Sequence, residues 1–161
     1  MKFLPLLAVL AATVALRAEP EYPKMGPDIF DPKAQGSAQI IAALTQAKAE
    51  QKNVLLMFGA NWCVWCHRLK NTMDTDATVA QTLNKNYILV LIDVNMRHGI
   101  KRNSDVNDRY GNPIHEGLPV LVVLDGKGRQ LTTQESGALE EGEGHSPAKV
   151  NAFLLQWAPK A

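Results

Sequence analysis

Two continuous apolar runs of strand length, NVLLMFGA at residues 53–60 and YILVLIDV at residues 87–94, most strongly limit what this chain can fold into. A strand that is apolar along its whole length is typical of a strand covered on both faces. Between the runs, Val79 and Leu83 lie four residues apart, as on one face of a helix. This order predicts two parallel strands inside a sheet with helices on both faces.

The flanking segments extend the pattern to an α/β domain with a central mixed sheet. Residues 37–51 have helical apolar spacing and begin with a serine that could cap the helix. The polar residues 95–110 are expected to form a loop and a short helix. Residues 118–133 predict two antiparallel strands around an Asp-Gly turn. A glycine-rich, acidic loop is expected at residues 137–144, and Ser146 is the expected cap of a last helix.

The first 18 residues have the layout of a secretory signal peptide. Lys2 provides a positive start, residues 3–16 are apolar, and Ala15 and Ala18 are possible cleavage points. The apolar run is short for a membrane span, although an uncleaved anchor helix is the alternative interpretation. The sequence therefore predicts an exported protein, located in a periplasm or in the medium.

After the predicted signal peptide, the proline-rich residues 19–36 are expected to form an extended lead-in, followed by one domain at residues 37–161. Cleavage would remove Lys2 and Arg17 from the 17 basic residues and none of the 16 acidic ones, so the net charge falls from +1 to −1. Such a chain lacks the excess of basic residues that is typical of a nucleic-acid-binding protein. We expect no nucleic-acid partner, no stable membrane insertion after cleavage, and a monomer.

The two cysteines of the chain, Cys63 and Cys66, directly follow the first predicted strand, where Asn61 could cap a helix that carries them. A disulfide between them closes a very short loop and is a poor structural staple. Backbone N–H groups and the dipole at a helix start favour a thiolate at Cys63, and Cys66 lies one turn further in. This predicts an exposed, attacking Cys63 and a shielded, resolving Cys66.

The same motif has other interpretations. Cys63-x-x-Cys66-His67 is also the spacing that attaches a c-type haem, with His67 as an axial ligand. The preceding buried strand is unlike the mostly helical c-type cytochromes, and no second axial ligand stands out, so we predict no cofactor. A zinc site lacks a second pair of ligands. His67 is either a solvated residue or a neighbour that tunes the thiols, and Asn61 is the other candidate for tuning.

Two segments, MFGANWCVWCH at residues 57–67 and EGLPVLVVLDGKGR at residues 116–129, resemble the thioredoxin-like superfamily. The resemblance covers about residues 37–158. It implies a cis peptide bond between Leu118 and Pro119, beside the cysteine pair, and a surface that binds extended substrate segments. The implied substrate-binding residues are Trp62, Trp65, Leu118 and Pro119. Within the superfamily, the chain is similar to small exported proteins described as disulfide isomerases or thiol-disulfide reductases.

Two departures from thioredoxin itself leave the direction of electron flow open. Val64-Trp65 stands between the cysteines where thioredoxin has Gly-Pro, and this dipeptide helps to set the thiol pKa and the reduction potential. Met57 stands six residues before Cys63, where thioredoxin has a buried acid that assists proton transfer at the resolving thiol. Without that acid, the proton of Cys66 must go to water or to another group.

The sequence therefore predicts an enzyme, an exported thiol-disulfide oxidoreductase of the reductase or isomerase type. Its partners would be protein thiols and disulfides together with an unidentified thiol-disulfide redox partner. The alternative from another class is a binding or chaperone-like protein that holds peptides while Cys63 and Cys66 stay permanently bridged.

Overall fold

The computed structural model describes residues 25–160, which form a four-stranded mixed sheet with helices on both faces and a separate two-stranded pairing. The predicted signal peptide and residues 19–24 of the predicted lead-in lie outside the described residues. None of the helices within residues 25–160 has the length and apolar character needed to cross a membrane.

The helices and strands alternate along most of the chain. Their bounds are α1 Gly36–Glu50, β1 Asn53–Gly59, α2 Val64–Thr75, α3 Ala77–Asn86, β2 Tyr87–Asp93, α4 Ser104–Arg109, β3 Val120–Leu124, β4 Gln130–Glu135, β5 Glu140–Glu141, β6 Gly144–His145 and α5 Pro147–Gln156. Short 3-10 turns lie at Arg97–Gly99, Pro113–Glu116 and Gly137–Leu139. The segment predicted as a glycine-rich loop thus contains β5 and the first residue of β6, strands that are too short to show any periodicity in the sequence.

The sheet has the strand order β2-β1-β3-β4. Strands β1 and β2 are parallel, with Gly59 opposite Asp93 at their carboxyl ends. Strand β3 is antiparallel to both β1 and β4. The predicted α/β class, the parallel pair and the hairpin are confirmed. Both β1 and β3 are buried along their whole length, whereas β4 is a polar edge strand.

Alternate residues of β1 face two separate apolar cores. Leu55 and Met57 pack with residues of α2, α3 and α5 on one face of the sheet. Val54, Leu56 and Phe58 pack with residues of α1 and α4 on the other face. Cys63 and Cys66 belong to the first core, and they lie at the start of α2, just after the carboxyl end of β1.

The start of α1 differs from the prediction. The helix begins at Gly36 with Gln35 as its N-cap, but the Gln35 side chain makes no capping bond, and the Gly36 N–H instead donates to the side-chain oxygen of Asn103 at 2.8 Å. Ser37 instead donates its hydroxyl proton to the Asp105 carboxylate at 3.1 Å, so this serine links α1 to α4 rather than capping α1. Residues 25–35 of the lead-in form neither helix nor strand, whereas Gly36 already belongs to α1, and Phe30 of the lead-in is buried in the core.

Candidate active site

The cysteine pair lies at the junction between β1 and α2. Cys63 and Cys66 form a disulfide, with their Cα atoms 5.2 Å apart. Cys63 is the N-cap residue of α2, and its sulfur accepts a hydrogen bond from the Cys66 N–H at 3.1 Å. Its carbonyl oxygen accepts from the N–H of His67 at 3.2 Å. The first turn of α2 therefore directs the Cys66 N–H at the Cys63 sulfur, where this donor and the helix dipole can stabilise a thiolate.

Both cysteines are more buried than the sequence suggested. Cys63 is 5% exposed and Cys66 is 0% exposed. The predicted order, with Cys66 the more shielded residue, is observed, but the prediction of an exposed Cys63 is wrong. Its sulfur is bonded to that of the fully buried Cys66 and accepts a hydrogen bond from the Cys66 N–H, which accounts for the low exposure of Cys63. The adjacent Val64 is 39% exposed and marks the surface above the disulfide.

Gly59 makes room for the resolving cysteine. A Cβ atom added at Gly59 would lie 2.7 Å from the Cys66 sulfur and 2.5 Å from the ring of Phe30. Both distances are far inside van der Waals contact, so no larger residue fits at the end of β1 without a shift of its neighbours. Phe30 and Cys66 together fill the space that a side chain at this position would occupy.

Asn61 holds the lead-in against this junction. Its side-chain oxygen accepts from the N–H groups of Ile29 at 3.1 Å and Phe30 at 2.8 Å, and its amide donates to the Phe30 carbonyl at 2.9 Å. The prediction that Asn61 caps α2 is therefore wrong, because Cys63 itself occupies the N-cap. Bonds to a segment about thirty residues earlier in the chain leave no signal in the local sequence.

His67 is half-buried and not fully solvated. Its Nε2 lies 2.9 Å from the carbonyl oxygen of Asn61, and because a carbonyl can only accept, Nε2 carries the proton in this bond. The ring thus ties α2 to the turn that precedes Cys63. Whether His67 or Asn61 tunes the thiols stays a prediction.

Trp62 is fixed by the loop that follows β2. Its indole N–H donates to the side-chain oxygen of Asn95 at 2.8 Å, and the same oxygen accepts from the Arg97 N–H at 3.1 Å. The Arg97 guanidinium carbon lies 3.5 Å from the centroid of the Trp62 ring, a cation–π contact. This loop corresponds to the polar segment singled out in the sequence, but the sequence did not show that it contacts Trp62.

Trp65 lies between a histidine and an arginine. His145 of β6 meets it edge to face, with ring centroids 5.7 Å apart, and the Arg68 guanidinium carbon lies 4.7 Å from the Trp65 centroid. His145 is 5% exposed, and neither ring nitrogen has a hydrogen-bond partner within residues 25–160. Burial lowers the pKa of His145 to about 4, and the nearby Arg68 charge acts in the same direction. The imidazole is therefore neutral at pH 7.

The Leu118–Pro119 peptide bond is cis, as predicted. Pro119 is buried, whereas Leu118 is half-buried and packs against the core that contains both cysteines. The residues proposed to bind substrate thus include two half-buried tryptophans and Leu118, all packed against that core. Their role in substrate binding stays a prediction.

The buried acid of this region comes from β2. Met57 is 0% exposed in the core. Asp93 is 2% exposed, accepts from the Asn95 N–H at 2.9 Å and pairs with Arg102 at 3.0 Å. Burial raises the pKa of Asp93, and these two contacts partly offset the rise. Because Asp93 is opposite Gly59 on a parallel strand, it lies on the sheet face of Cys66. In the sequence, Asp93 is an acidic residue at the end of an otherwise apolar strand, and this pattern could have identified it as a buried acid.

A family model described as thioredoxin-like matches residues 37–126, more than half of the chain. The chain belongs to the thioredoxin-like family. The matched residues include Cys63 and Cys66, which form the disulfide described above.

Curated relatives match the chain over a small part of their own length. The thiol:disulfide interchange protein DsbD of Actinobacillus pleuropneumoniae serotype 5b is 29% identical over 112 residues, which cover 69% of this chain and 18% of DsbD. The spermatogenesis-associated protein 20 of Mus musculus is 33% identical over 51 residues, which cover 32% of this chain and 6% of that protein.

Solved structures match over most of their length. The disulphide isomerase from Xylella fastidiosa Temecula1 is 30% identical with a TM-score of 0.69, and the match covers 80% of this chain and 95% of the isomerase. The oxidised C-terminal domain of DsbD from Neisseria meningitidis shares the fold at 21% identity and a TM-score of 0.56, covering 76% of this chain and 96% of that domain.

Proposed function

We propose that this protein is an exported thiol–disulfide oxidoreductase that reduces or isomerises disulfides of other exported proteins. The observation that carries the proposal is the Cys63–Cys66 disulfide at the start of α2, directly after a buried strand. Similarity to the Xylella disulphide isomerase over 95% of that chain supports isomerisation as one of the two proposed activities. The signal-like pattern of residues 1–18 supports export, an environment in which substrate disulfides persist.

Reduction begins from the dithiol form of the protein. The Cys63 thiolate attacks one sulfur of a substrate disulfide, so that a Cys63–substrate bond forms while the substrate S–S bond breaks. The released substrate sulfur takes a proton. Cys66, after losing its proton, then attacks the Cys63 sulfur and releases the second substrate thiolate. The substrate gains two electrons and two protons, the Cys63–Cys66 disulfide forms, and a separate dithiol donor restores the reduced protein.

Isomerisation uses the same first step. Another thiolate of the substrate attacks the mixed disulfide before Cys66 does, which forms a new substrate disulfide and releases Cys63 unchanged. No net electrons are exchanged in this route. The balance between reduction and isomerisation thus depends on how quickly Cys66 reacts, and Cys66 is fully buried.

Substrate would lie across the surface above the disulfide. Trp62, Trp65 and Leu118 are half-buried, so each retains apolar area for a substrate segment. The carbonyl and N–H groups of the chain before β3 could pair with an extended peptide, with Pro119 at the turn into that strand.

Equilibration with glutathione buffers of graded potential tests the proposal. We expect a reversible Cys63–Cys66 pair, and insulin reduction that is lost in Cys63→Ser. A potential near the thioredoxin value of about −270 mV would indicate a reductase, and one above about −150 mV an oxidase. A pair that no buffer reduces, with peptide binding unchanged in Cys63→Ser, would contradict catalysis and support the chaperone-like alternative.

A further inference from the structure

An arginine guanidinium lies against the ring of each tryptophan that precedes a cysteine. Arg97 lies 3.5 Å from the Trp62 centroid, next to Cys63, and Arg68 lies 4.7 Å from the Trp65 centroid, next to Cys66. The two arginines come from different elements, the loop after β2 and helix α2. A guanidinium group therefore lies against each of the two tryptophan rings that are next to the cysteines in the sequence and pack against the same core.

Neither guanidinium has an acidic partner within the described part of the chain. Ion pairs among residues 25–160 involve Lys52, Lys70, Arg102 and Arg129, and Arg68 and Arg97 take part in none of these. Arg97 is exposed and Arg68 is half-exposed. The Arg97 guanidinium carbon lies 3.5 Å from the ring centroid while the residue is exposed, so its N–H donors are accessible to a ligand beside the ring.

We propose that Trp62, Arg97, Trp65 and Arg68 form an arginine–tryptophan surface that selects polypeptide segments with acidic residues on either side of the exchanged cysteine. The proposal rests on the proposed function and adds the class of substrate. The substrate sulfur would reach Cys63 between the rings, while its flanking carboxylates accept hydrogen bonds from the two guanidinium groups.

The chemistry of the surface favours carboxylates over other partners. A guanidinium offers a planar set of donors that matches the two oxygens of a carboxylate. The indole rings supply apolar area beside each charge, and the Trp62 ring is locked by its bond to Asn95. Of the acids that share the groove beside Arg68, Asp74 is already paired with Lys70, and Glu143 lies in the turn between β5 and β6. The Arg68 charge is therefore only partly offset.

Three synthetic peptides of equal length test the surface. Each contains the same disulfide, flanked by glutamate, glutamine or lysine, and the second-order rate of its reduction by the dithiol protein is measured at low and high ionic strength. We expect the glutamate peptide to react about tenfold faster than the lysine peptide at low salt, and the ratio to shrink at about 1 M salt, where charges are screened beyond roughly 3 Å. A ratio near one at low salt would overturn the proposal.

Charge-reversal variants test whether Arg68 and Arg97 are the residues that select acidic substrates. In the double variant Arg68→Glu and Arg97→Glu, we expect the lysine peptide to become the faster substrate, with the glutamine peptide as the internal reference for changes in the thiols themselves. The matched control is Lys85→Glu with Lys127→Glu, which changes the net charge equally at the opposite end of the sheet. A preference for glutamate that survives the arginine reversal, or that the lysine control removes, would overturn the assignment to this surface.

A binding measurement separates this proposal from the proposed function. The oxidised protein is titrated with cysteine-to-serine versions of the same peptides, and tryptophan fluorescence reports binding near Trp62 and Trp65. Tighter binding of the glutamate version supports the surface even if no peptide is reduced, a result that would contradict the oxidoreductase alone. Reduction of all three peptides at equal rates, with equal binding, would contradict the surface alone.

Discussion

Cys63 combines two roles at a single residue. It caps α2, since its sulfur accepts the Cys66 N–H at 3.1 Å, and it forms the disulfide with the same residue. When the disulfide is reduced, the helix start remains a donor-rich setting for the Cys63 sulfur, whereas Cys66 is 0% exposed and faces the core. The two sulfurs therefore differ in how well they can carry a negative charge.

This difference predicts how the two serine variants behave. Cys66→Ser should accumulate mixed disulfides with substrate proteins, because no sulfur remains to displace the substrate from Cys63. Cys63→Ser should accumulate none. Non-reducing gels and mass spectrometry of trapped adducts provide the measurement. Faster alkylation of Cys66 than of Cys63 in the reduced protein at neutral pH would show that the roles are reversed.

The protonation of His145 makes the stability of the folded chain depend on pH. Its pKa is about 4 in the folded state, against 6.5 for an ordinary histidine, so the unfolded chain takes up the proton first. The stability that His145 contributes is therefore complete above pH 6.5 and is lost as the pH falls towards 4. The expected loss between pH 7.5 and pH 4.5 is on the order of 2–3 kcal/mol.

Replacing His145 by phenylalanine should weaken this pH dependence, because the ring against Trp65 is kept and the proton site is removed. Denaturant unfolding of His145→Phe and of the wild type at pH 7.5 and 4.5 measures the difference between the two proteins. The exposed His115, changed to glutamine, is the matched control and should leave the wild-type dependence intact. An equal loss of stability in His145→Phe and wild type would exclude His145 as the cause.

At the scale of elements, the site is a junction of segments that are far apart in the chain. The β1–α2 turn carries the cysteines, the lead-in covers them through Phe30, and the loop after β2 holds Trp62. Asn61 is the link between the turn and the lead-in. An amide side chain suits this position because it can both accept from and donate to an extended backbone.

Removal of the Asn61 side chain should detach the lead-in. Asn61→Ala loses three hydrogen bonds to backbone groups of Ile29 and Phe30, and we expect it to lower the free energy of unfolding by about 1–3 kcal/mol. Amide exchange at Ile29 and Phe30 should accelerate more than elsewhere. The exposed Asn84 on α3, changed to alanine, should alter stability by less than about 0.5 kcal/mol. Unchanged exchange at both amides would rule out this anchoring.

At the scale of the whole molecule, the sheet separates two cores. Leu69 of α2 packs in the core that holds the cysteines, and Ile40 of α1 packs in the core on the opposite face. Since the buried strands β1 and β3 lie between them, a cavity on one side leaves the packing on the other side in place.

The two cores should respond independently. Leu69→Ala should cost about 2–5 kcal/mol and Ile40→Val about 0.5–1.5 kcal/mol, and the double variant should equal their sum within about 0.5 kcal/mol. Denaturant unfolding of the four proteins measures this cycle. A coupling above about 1 kcal/mol would mean that the sheet transmits the change between its faces.

The fold and the cysteine pair could be predicted because their signals are local. Apolar runs such as the one in β1 indicate a doubly covered strand, and the spacing of Cys63 and Cys66 indicates a shared helical turn. The surroundings of the pair could not be predicted in the same way. The prediction that Asn61 caps α2 was wrong because it considered only neighbouring residues. The actual hydrogen-bond partners of Asn61 are 31 and 32 residues away.

The sequence by itself determined the α/β class, the strand that leads to the cysteines and the order of their burial, since hydrophobic periodicity and helix geometry act over a few residues. Only the tertiary structure decided that both cysteines are buried, that Phe30 fills the space beside Gly59, and that Arg97 and His145 contact the tryptophans. Those contacts form between segments that are far apart in the chain and meet only when the sheet is assembled. No local sequence pattern shows which distant side chains will be in contact.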